Sequence, residues 1–342
     1  MRSTALIPFV YLVVLGCTVA GPGSPEGLPG PKADAWTDPT CADPALTEAV
    51  EWNRLRSSLM AVAGAARHSA REPVVWPGDE VVIEGKFSYG IVAKDLEEEL
   101  VAGYLRVGDC ADPDGGWIDL GQGLTDTSGR LAFEVDPELV VEPGSYEFQL
   151  VVLGDLSRAR GRVWVAPAGA PTVVFDVDGT LTTSDAELRD ELLHGDSPEI
   201  FEGAAEVTRR WAHAGALVVY LTARPNMLSA QTRRWLEDNG AAPGVLRTTT
   251  NLVESSPLAV RWYKTDELVE LLDWVELDVV AAYGNATTDV CAYAAAGLDP
   301  ERTFIVGEHG GSACEGYGPT QVLDSWSTHG DEVMPGFLPA AP

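Results

Sequence analysis

The chain has 342 residues, 45% of them hydrophobic, so it is long enough to form two domains with sizeable cores. Its 52 acidic and 23 basic residues give a formal net charge of −29. A surface this negative repels nucleic acid and anionic headgroups, so we expect no nucleic-acid partner. Any membrane attachment would need apolar insertion or a covalent anchor.

The N-terminal residues predict an export signal followed by a tether. Residues 5–15 are apolar, too few to span a bilayer but suited to a signal-peptide core, so 1–16 are predicted to be a signal peptide. The sequence VLGC, ending at Cys17, resembles a bacterial lipobox, although an ordinary cleaved signal is the alternative. Residues 17–44 would then carry a lipid on Cys17 and form a flexible Gly/Pro-rich tether. These features predict an exported bacterial lipoprotein, anchored to a membrane in the periplasm or at the cell surface.

Four further cysteines, Cys41, Cys110, Cys291 and Cys314, suggest two disulfides in an exported chain. Three pairings are possible. We expect Cys41–Cys110 and Cys291–Cys314, because each pair stays within one predicted domain. The alternative is that all four are small buried thiols.

Two changes of sequence period follow the tether. Residues 45–72 are predicted to form a packing helix, because apolar residues recur at three- and four-residue spacing. From 73 to 167 the period becomes two, with Gly, Asp and Pro between short runs, which predicts an antiparallel, Ig-like β-sandwich. No catalytic cluster is apparent in this region.

Strand and helix patterns alternate from 168 to 320, which predicts an α/β domain with a doubly wound, mostly parallel sheet. Residues 321–342 are predicted to be a tail on the surface. The predicted strands are 173–175, 216–221, 279–283 and 304–307, and the predicted helices are 204–214, 228–239, 266–274 and 289–296.

The strand at 173–175 leads directly into the run DVDGTLTTSD at 176–185. Alternation along the extended chain puts Asp176 and Asp178 on the same side. Two carboxylates so close repel each other unless a cation lies between them, so the run predicts a Mg²⁺-dependent phosphoryl-transfer site. Asp176 would be the nucleophile, and Asp178 the general acid and then the general base.

Other polar residues come near later strand ends or helix starts. Thr222 would donate its hydroxyl to a phosphoryl oxygen, and Lys264 would neutralise charge in the transition state. Asn285 or Asp289 would complete an oxygen-only Mg²⁺ shell with the carboxylate of Asp176 and the backbone carbonyl of Asp178. Singly, each has a simpler explanation: a helix cap for Thr222, a surface charge for Lys264, a turn for Asn285, and a favourable helix-dipole charge for Asp289. Their shared placement favours one site.

Together these motifs resemble the haloacid dehalogenase superfamily of phosphatases. Its four motifs are matched in order by D-x-D-x-T at 176–180, by Thr222, by Lys264 and by G-N-x-x-x-D at 284–289. The resemblance implies Mg²⁺ held by Asp176, Asp178, Asn285 and Asp289. It also implies that Gly179, Thr180 and Ala223 contact the substrate phosphate.

Finer similarities point to two branches of this superfamily. The run at 176–185 and Asn285 resemble lipin-type phosphatidate phosphatases, although lipins usually carry a basic residue where this chain has Thr183. The sequence LTARP at 221–225 is similar to the second motif of both branches. Other segments resemble the region before this domain in membrane-associated phosphatidylinositol transfer proteins of the retinal degeneration B (Nir) type: GKFSYG at 85–90, SGR at 128–130 and VVLGD at 151–155.

The two branches imply different functions. Lipins hydrolyse phosphatidate to diacylglycerol and phosphate with Mg²⁺ at a membrane surface, whereas the Nir branch has lost its catalytic aspartates and binds phosphatidate. This chain keeps Asp176, Asp178, Lys264 and Asp289, which favours an enzyme. The alternatives are a non-catalytic phosphatidate-binding module and an exported phosphatase for soluble phosphomonoesters. Few residues separate Asp185 from the next predicted helix, so we expect an open crevice without a large cap domain.

Overall fold

The chain forms a largely antiparallel β unit followed by a parallel α/β unit, as the sequence predicts. The computed structural model describes residues 36, 41–45, 48–112, 115–183, 198–250 and 256–337. The predicted signal peptide, Cys17 and most of the predicted tether lie outside these residues. So does the segment 184–197, on which the expectation of an open crevice depends.

The described helices are α1 (Leu55–Ala63), α2 (Ala204–His213), α3 (Ser229–Asp238), α4 (Pro257–Val269), α5 (Thr287–Ala295) and the short α6 (Trp326–Thr328). The strands of the antiparallel unit are β1 (Ser69–Ala70), β2 (Val74–Val75), β3 (Val81–Lys86), β4 (Ser88–Tyr89), β5 (Lys94–Asp95), β6 (Leu100–Arg106), β7 (Trp117–Leu124), β8 (Arg130–Val135), β9 (Gly144–Val152) and β10 (Arg158–Val165). The strands of the parallel unit are β11 (Pro171–Phe175), β12 (Leu217–Pro225), β13 (Val245–Thr249), β14 (Asp278–Gly284), β15 (Thr303–Val306) and β16 (Gln321–Leu323).

The antiparallel unit is a β-sandwich. One sheet has the order β1-β3-β8 and the other β2-β10-β9-β6-β7. Burial alternates along β3, where Val81 and Ile83 are buried while Val82 is exposed. Ile83 and Phe133 of the first sheet share one apolar core with Phe148 of the second. Along β3, the period of two therefore corresponds to one buried and one exposed face, whereas β9 is buried at every residue from Phe148 to Val152.

The parallel sheet has the strand order β13-β12-β11-β14-β15-β16, and every neighbouring pair in it is parallel. Side chains of β11 alternate between two cores, with Val173 and Phe175 in one and Val174 in the other. From β11 the chain proceeds to β12 and β13 on one side, then to β14, β15 and β16 on the other. The strand order thus reverses at the carboxyl end of β11, where open α/β sheets place their ligand crevice.

The predicted packing helix at 45–72 is wrong in its extent and in which of its apolar residues pack. The observed α1 is shorter, because Gly64 follows it in an extended conformation and the chain enters β1 by Ser69. Its predicted apolar stripe does not pack, since Leu55, Leu59 and Val62 are 79, 61 and 89% exposed, whereas Met60 and Ala61 pack against the β-sandwich core.

The described part of the predicted tether and the predicted tail both pack onto the parallel unit. Trp36 is buried in a core against Tyr220, and its indole N–H donates to the carbonyl of Ala241. Strand β16 lies at the edge of the sheet, paired with β15, and Trp326 is buried in the same core as Trp36. These corrections share one cause, because apolar side chains within Gly/Pro-rich sequence cover a face that the helices leave open.

Both predicted disulfides are confirmed. Cys41 is bonded to Cys110, and Cys291 is bonded to Cys314. The first ties the segment before α1 to the β-sandwich, and the second ties α5 to the chain after β15.

Among the described residues, no helix combines the length and apolar character that a bilayer-crossing segment needs.

A buried carboxylate joins the two units. Glu72, just after β1, accepts hydrogen bonds from the backbone N–H groups of Arg162 (2.9 Å) and Leu246 (2.8 Å). It also forms an ion pair with Arg233 at 2.9 Å. The backbone carbonyl of Glu72 accepts a further hydrogen bond from the Arg247 side chain. Because these donors come from β10, α3 and β13, this one residue fixes the β-sandwich against the parallel sheet.

Candidate active site

Asp176 occupies the end of the central strand. Its backbone N–H donates to the carbonyl of Tyr283 on β14 at 2.9 Å, and its side chain is buried. One carboxylate oxygen lies 2.6 Å from Lys264 Nζ, and the other accepts a 2.8 Å hydrogen bond from the Thr180 hydroxyl. The nucleophile predicted from the sequence is thus fixed at both of its oxygens.

Lys264 bridges two carboxylates. It lies inside α4, two residues before the predicted helix start, and its ammonium is 2.6 Å from both Asp176 Oδ1 and Asp289 Oδ1. Burial opposes the charge on Lys264, but the two carboxylates outweigh it and raise the pKa of Lys264 above its ordinary value. Burial raises the pKa of Asp176 to about 7, against the opposing attraction of Lys264. Lys264 is therefore a buried cation between two carboxylates rather than a surface charge.

Asp289 organises the loop after β14. Its second oxygen accepts the backbone N–H groups of Asn285 and Ala286, both at 3.0 Å, at the start of α5. A Cβ on Gly284 would lie 2.6 Å from Cβ of Asp289, so only glycine permits this approach. The Asn285 amide oxygen is 3.4 Å from the Thr180 hydroxyl, which places it next to the carboxylate of Asp176. Asp289 thereby positions both Lys264 and Asn285.

A tight turn returns the chain to the strand end after Asp178. Gly179 has a φ of +72°, a conformation that other residues rarely adopt. Its N–H donates to the Thr182 hydroxyl at 2.8 Å, while Leu181 and Thr182 donate to the carbonyl of Val177. This turn brings the hydroxyl of Thr180 onto Asp176.

Asp178 is held by two residues of the neighbouring strand β12. The Thr222 hydroxyl donates to it at 3.1 Å, and the guanidinium of Arg224 contacts both of its oxygens at 2.8–3.0 Å. Arg224 is completely buried, over the ring of Trp235, whereas the Asp178 side chain is 19% exposed. Between Thr222 and Arg224, Ala223 presents its carbonyl to the hydroxyl of Thr249 at 3.4 Å. Arg224 is the site residue that the sequence reasoning missed.

The available oxygen atoms suit Mg²⁺. The described residues contain no group of three or more His, Cys, Asp or Glu side chains that could hold a metal ion. Mg²⁺ often uses only one or two carboxylates, with water and substrate oxygens completing its shell. Asp176 and the adjacent amide oxygen of Asn285 fit that pattern. Three carboxylates also face only two cationic side chains, so a cation would offset the excess negative charge.

Two family models match the chain, one to each unit. Residues 173–307 match the LNS2 domain of PITM 1-3, and residues 66–165 match the beta-sandwich domain of PITM 1-3. Together these matches cover more than half of the chain. The chain therefore belongs to the family that these two PITM 1-3 domains define, as the sequence resemblance indicates.

Individual proteins agree with this assignment. The chain is 34% identical to membrane-associated phosphatidylinositol transfer protein 1 of Homo sapiens over 278 residues, 81% of this chain and 21% of that protein. It is 28% identical to protein retinal degeneration B of Drosophila melanogaster over 294 residues, 85% of this chain and 22% of that protein. The chain thus spans about a fifth of the length of these curated relatives. A solved deoxy-D-mannose-octulosonate 8-phosphate phosphatase of Haemophilus influenzae overlaps 49% of this chain and 88% of its own, with 19% identity and a TM-score of 0.31.

The expected bacterial localisation is wrong. The relatives come from animals, namely Homo sapiens, Rattus norvegicus, Mus musculus and Drosophila melanogaster, and the three from mammals are named membrane-associated phosphatidylinositol transfer protein 1. The prediction of a bacterial protein depended on the lipobox-like VLGC sequence. A short apolar run followed by a cysteine can arise without lipid attachment. The periplasmic lipoprotein interpretation is withdrawn.

Proposed function

We propose that this chain is a Mg²⁺-dependent phosphatase of the haloacid dehalogenase type that hydrolyses phosphatidate or a related phospholipid phosphate. The observation that carries the proposal is the ammonium of Lys264, which lies 2.6 Å from both Asp176 and Asp289 at the carboxyl end of β11. A buried nucleophile beside a fixed cation is suited to a transition state rich in negative charge.

The proposed reaction has two steps. Asp176 attacks the phosphorus atom and forms an aspartyl-phosphate, while the bond to the glycerol oxygen breaks and Asp178 donates a proton to that oxygen. Asp178 then takes a proton from water, which attacks the phosphorus, releases phosphate and restores the carboxylate of Asp176. Lys264 neutralises phosphoryl charge in both steps, and bound Mg²⁺ would supply further neutralisation.

The contacts of Asp178 set a condition on this reaction. Arg224 and Thr222 occupy its carboxylate in the described structure. Asp178 must give up at least one of these hydrogen bonds before it can contact a leaving oxygen. Its partial exposure leaves room for that exchange, whereas Arg224 has no access to solvent.

Phosphatidate is proposed as substrate for two reasons. The run at 176–185 and Asn285 resemble lipin phosphatidate phosphatases, and the relatives' names describe transfer of another phospholipid, phosphatidylinositol. A phosphate carried on a lipid is the chemistry common to both.

The second candidate function is a non-catalytic phosphatidate-binding module. It is favoured by the ion pair between Asp178 and Arg224, which engages the proposed general acid. In that case the crevice at β11 would bind the lipid phosphate without releasing it.

Phosphate release from phosphatidate in mixed micelles separates these functions. We expect release with Mg²⁺ and none with EDTA, loss of release in Asp176→Asn, and a decrease of roughly 10²–10⁴-fold in Asp178→Asn. Asp324→Asn, which neutralises an exposed carboxylate after β16, is the matched control and should retain wild-type release. Full activity of Asp176→Asn contradicts the proposed nucleophile, and phosphatidate binding without turnover supports the second candidate. Glycerol 3-phosphate and nucleotides as substrates test the soluble alternative.

A further inference from the structure

A small cavity of about 70 Å³ lies at the seam between the β-sandwich and the parallel sheet. Its charged lining consists of four cationic side chains, Arg71, Lys86, Arg130 and Arg247, and one carboxylate, Glu84. This concentration of positive charge stands out in a chain with 23 basic and 52 acidic residues. We call this feature the seam cavity.

One wall of the seam cavity is a row across the first sandwich sheet. Ser69 of β1 pairs with Lys86 of β3, which in turn pairs with Arg130 of β8. Two like charges directly opposite each other on neighbouring strands repel. Lys86 has a partner in Asp95 at 2.6 Å, but Arg130 is exposed and forms no ion pair within the part of the chain that the structure describes. The row therefore leaves a cation available to an external anion.

Two guanidinium groups of the lining are held in fixed positions. Arg71 contacts Glu267 at 2.7 Å and Glu270 at 2.6 Å. Arg247 contacts the same two carboxylates, at 3.0 and 3.3 Å, and is almost completely buried. These ion pairs compensate the charges of Arg71 and Arg247. They also hold the two guanidinium groups in place, so both are preorganised for binding.

The rest of the lining comes from the edge of the parallel sheet that carries the candidate active site. Asn226 directly follows β12, the strand of Thr222 and Arg224, and Thr248 lies on β13 next to Thr249. The seam cavity and the active site therefore open at the carboxyl ends of the same strands but use different side chains.

We propose that the seam cavity is a second phosphate-binding site, which takes the phosphate of an acidic phospholipid headgroup. Its volume of about 70 Å³ exceeds the roughly 10–15 Å³ that one bound water needs, so the cavity has room for a tetrahedral anion. Arginine and lysine donors recognise phosphate through charge-assisted hydrogen bonds. Free phosphate has the same chemistry, so the test compares both sources. The proposal stands whether or not the active site turns over.

Vesicle binding of the full chain in EDTA, where Mg²⁺-dependent turnover is blocked, tests the site. The vesicles contain phosphatidylcholine with or without phosphatidate. The double variant Lys86→Gln/Arg130→Gln should bind phosphatidate vesicles at least about tenfold more weakly than wild type. A loss of that size corresponds to the removal of at least one charge-assisted hydrogen bond. The matched control Arg56→Gln/Arg302→Gln removes two exposed charges elsewhere and should bind within twofold of wild type. Arg130→Gln alone, at an exposed residue, gives a variant that keeps the fold.

Calorimetric titration with inorganic phosphate and with glycerol 3-phosphate completes the experiment. Saturable binding of either that the double variant weakens, but Asp176→Asn does not, supports the site and identifies a soluble phosphate as a sufficient ligand. A variant-sensitive signal with vesicles alone supports the site for membrane-presented headgroups. Equal weakening by both variant pairs would show only the effect of net charge, and would overturn the proposal. No binding by wild type in either format would also overturn it.

Discussion

Asp178 and Arg224 form an ion pair whose two members differ in access to water. Arg224 is completely buried, while the Asp178 side chain is 19% exposed. Asp178→Ala leaves a buried guanidinium without its charge partner, and we expect it to reduce the free energy of unfolding by about 3–5 kcal/mol. Arg224→Met should cost clearly less, because the remaining carboxylate can be hydrated. Urea denaturation of both variants measures the difference.

The matched control for this pair is Asp331→Ala, which breaks the exposed contact with Arg210 at 2.8 Å. Solvent screens that pair, so the free energy of unfolding should hardly change. Equal losses in Asp178→Ala and Arg224→Met would contradict the inferred asymmetry.

The order of motifs along the sequence predicted most residues of the candidate site, but not the buried Arg224. Asp176 and Asn285 could be grouped from sequence because carboxyl ends of parallel strands meet at one edge, and Lys264 because it matches the third motif of the resembling superfamily. Arg224 could not, since an arginine two residues after Thr222 can equally point into solvent. Its burial depends on Trp235 and on the Thr232 hydroxyl of α3, 3.3 Å away, whose positions are fixed only in three dimensions.

At the scale of elements, β4 is packed against a neutral histidine. The backbone N–H of Ser88 donates to Nδ1 of His68 at 3.3 Å, so Nε2 carries the proton and donates to the Ser157 hydroxyl at 2.8 Å. Burial lowers the pKa of His68 to about 4, although Asp155 nearby acts to raise it. A second proton would face the Ser88 N–H, with no acceptor there.

This histidine makes stability depend on pH in a defined window. Between the ordinary pKa of 6.5 and about 4, the unfolded chain binds a proton that folded His68 does not. Its contribution is therefore fully present above pH 6.5, and it is lost as the pH falls to 4, by about 3 kcal/mol at most. His329, whose pKa burial also lowers to about 4, adds in the same direction.

Urea unfolding at pH 7, 5.5 and 4.5 checks the expectation for His68. The loss of stability on acidification should be smaller in His68→Gln than in wild type. His213→Gln, at an exposed histidine, should keep the wild-type slope. An unchanged slope in His68→Gln would assign the acid sensitivity to other groups.

Element types were easier to predict than element ends. The period of two predicted the β-sandwich because strands such as β3 bury alternate residues. The predicted helix at 45–72 ran past Gly64 because periodicity alone does not record that the chain there passes against the backbone of Gly90. Residues 321–342 looked like a surface tail, since three residues of an edge strand are too few for a periodic signal.

At the scale of the whole molecule, the two units share one apolar core in addition to the β-sandwich's own. Val74 and Trp164 of the β-sandwich lie in one apolar cluster with Val174 of the parallel sheet. Trp36, which precedes the β-sandwich, is buried in the other cluster. Sequence patterns separate the units because they report local period, whereas these contacts join residues far apart in the chain. Because the two units share this core, we infer that the β-sandwich holds the parallel sheet rigidly.

Glu72 offers a direct test of that coupling. Its carboxylate accepts two backbone N–H groups, one from each unit, and pairs with Arg233. Glu72→Gln keeps the shape but removes the charge and turns an amide N–H₂ toward these donors. We expect the free energy of unfolding to fall by about 3–5 kcal/mol, as for other broken buried pairs.

The form of the transition matters as much as its midpoint. If the seam holds the units together, Glu72→Gln should shift one cooperative urea transition, followed in parallel by tryptophan fluorescence and by proteolysis of each unit. Glu134→Gln, at an exposed residue of β8, should leave the transition where it is in wild type. Two separated transitions, with only the β-sandwich shifted, would show that the units fold independently and that the support is local. A single shifted transition would mean that a change at the seam also reaches the strand ends that carry Asp176 and Arg224, because both units then unfold as one.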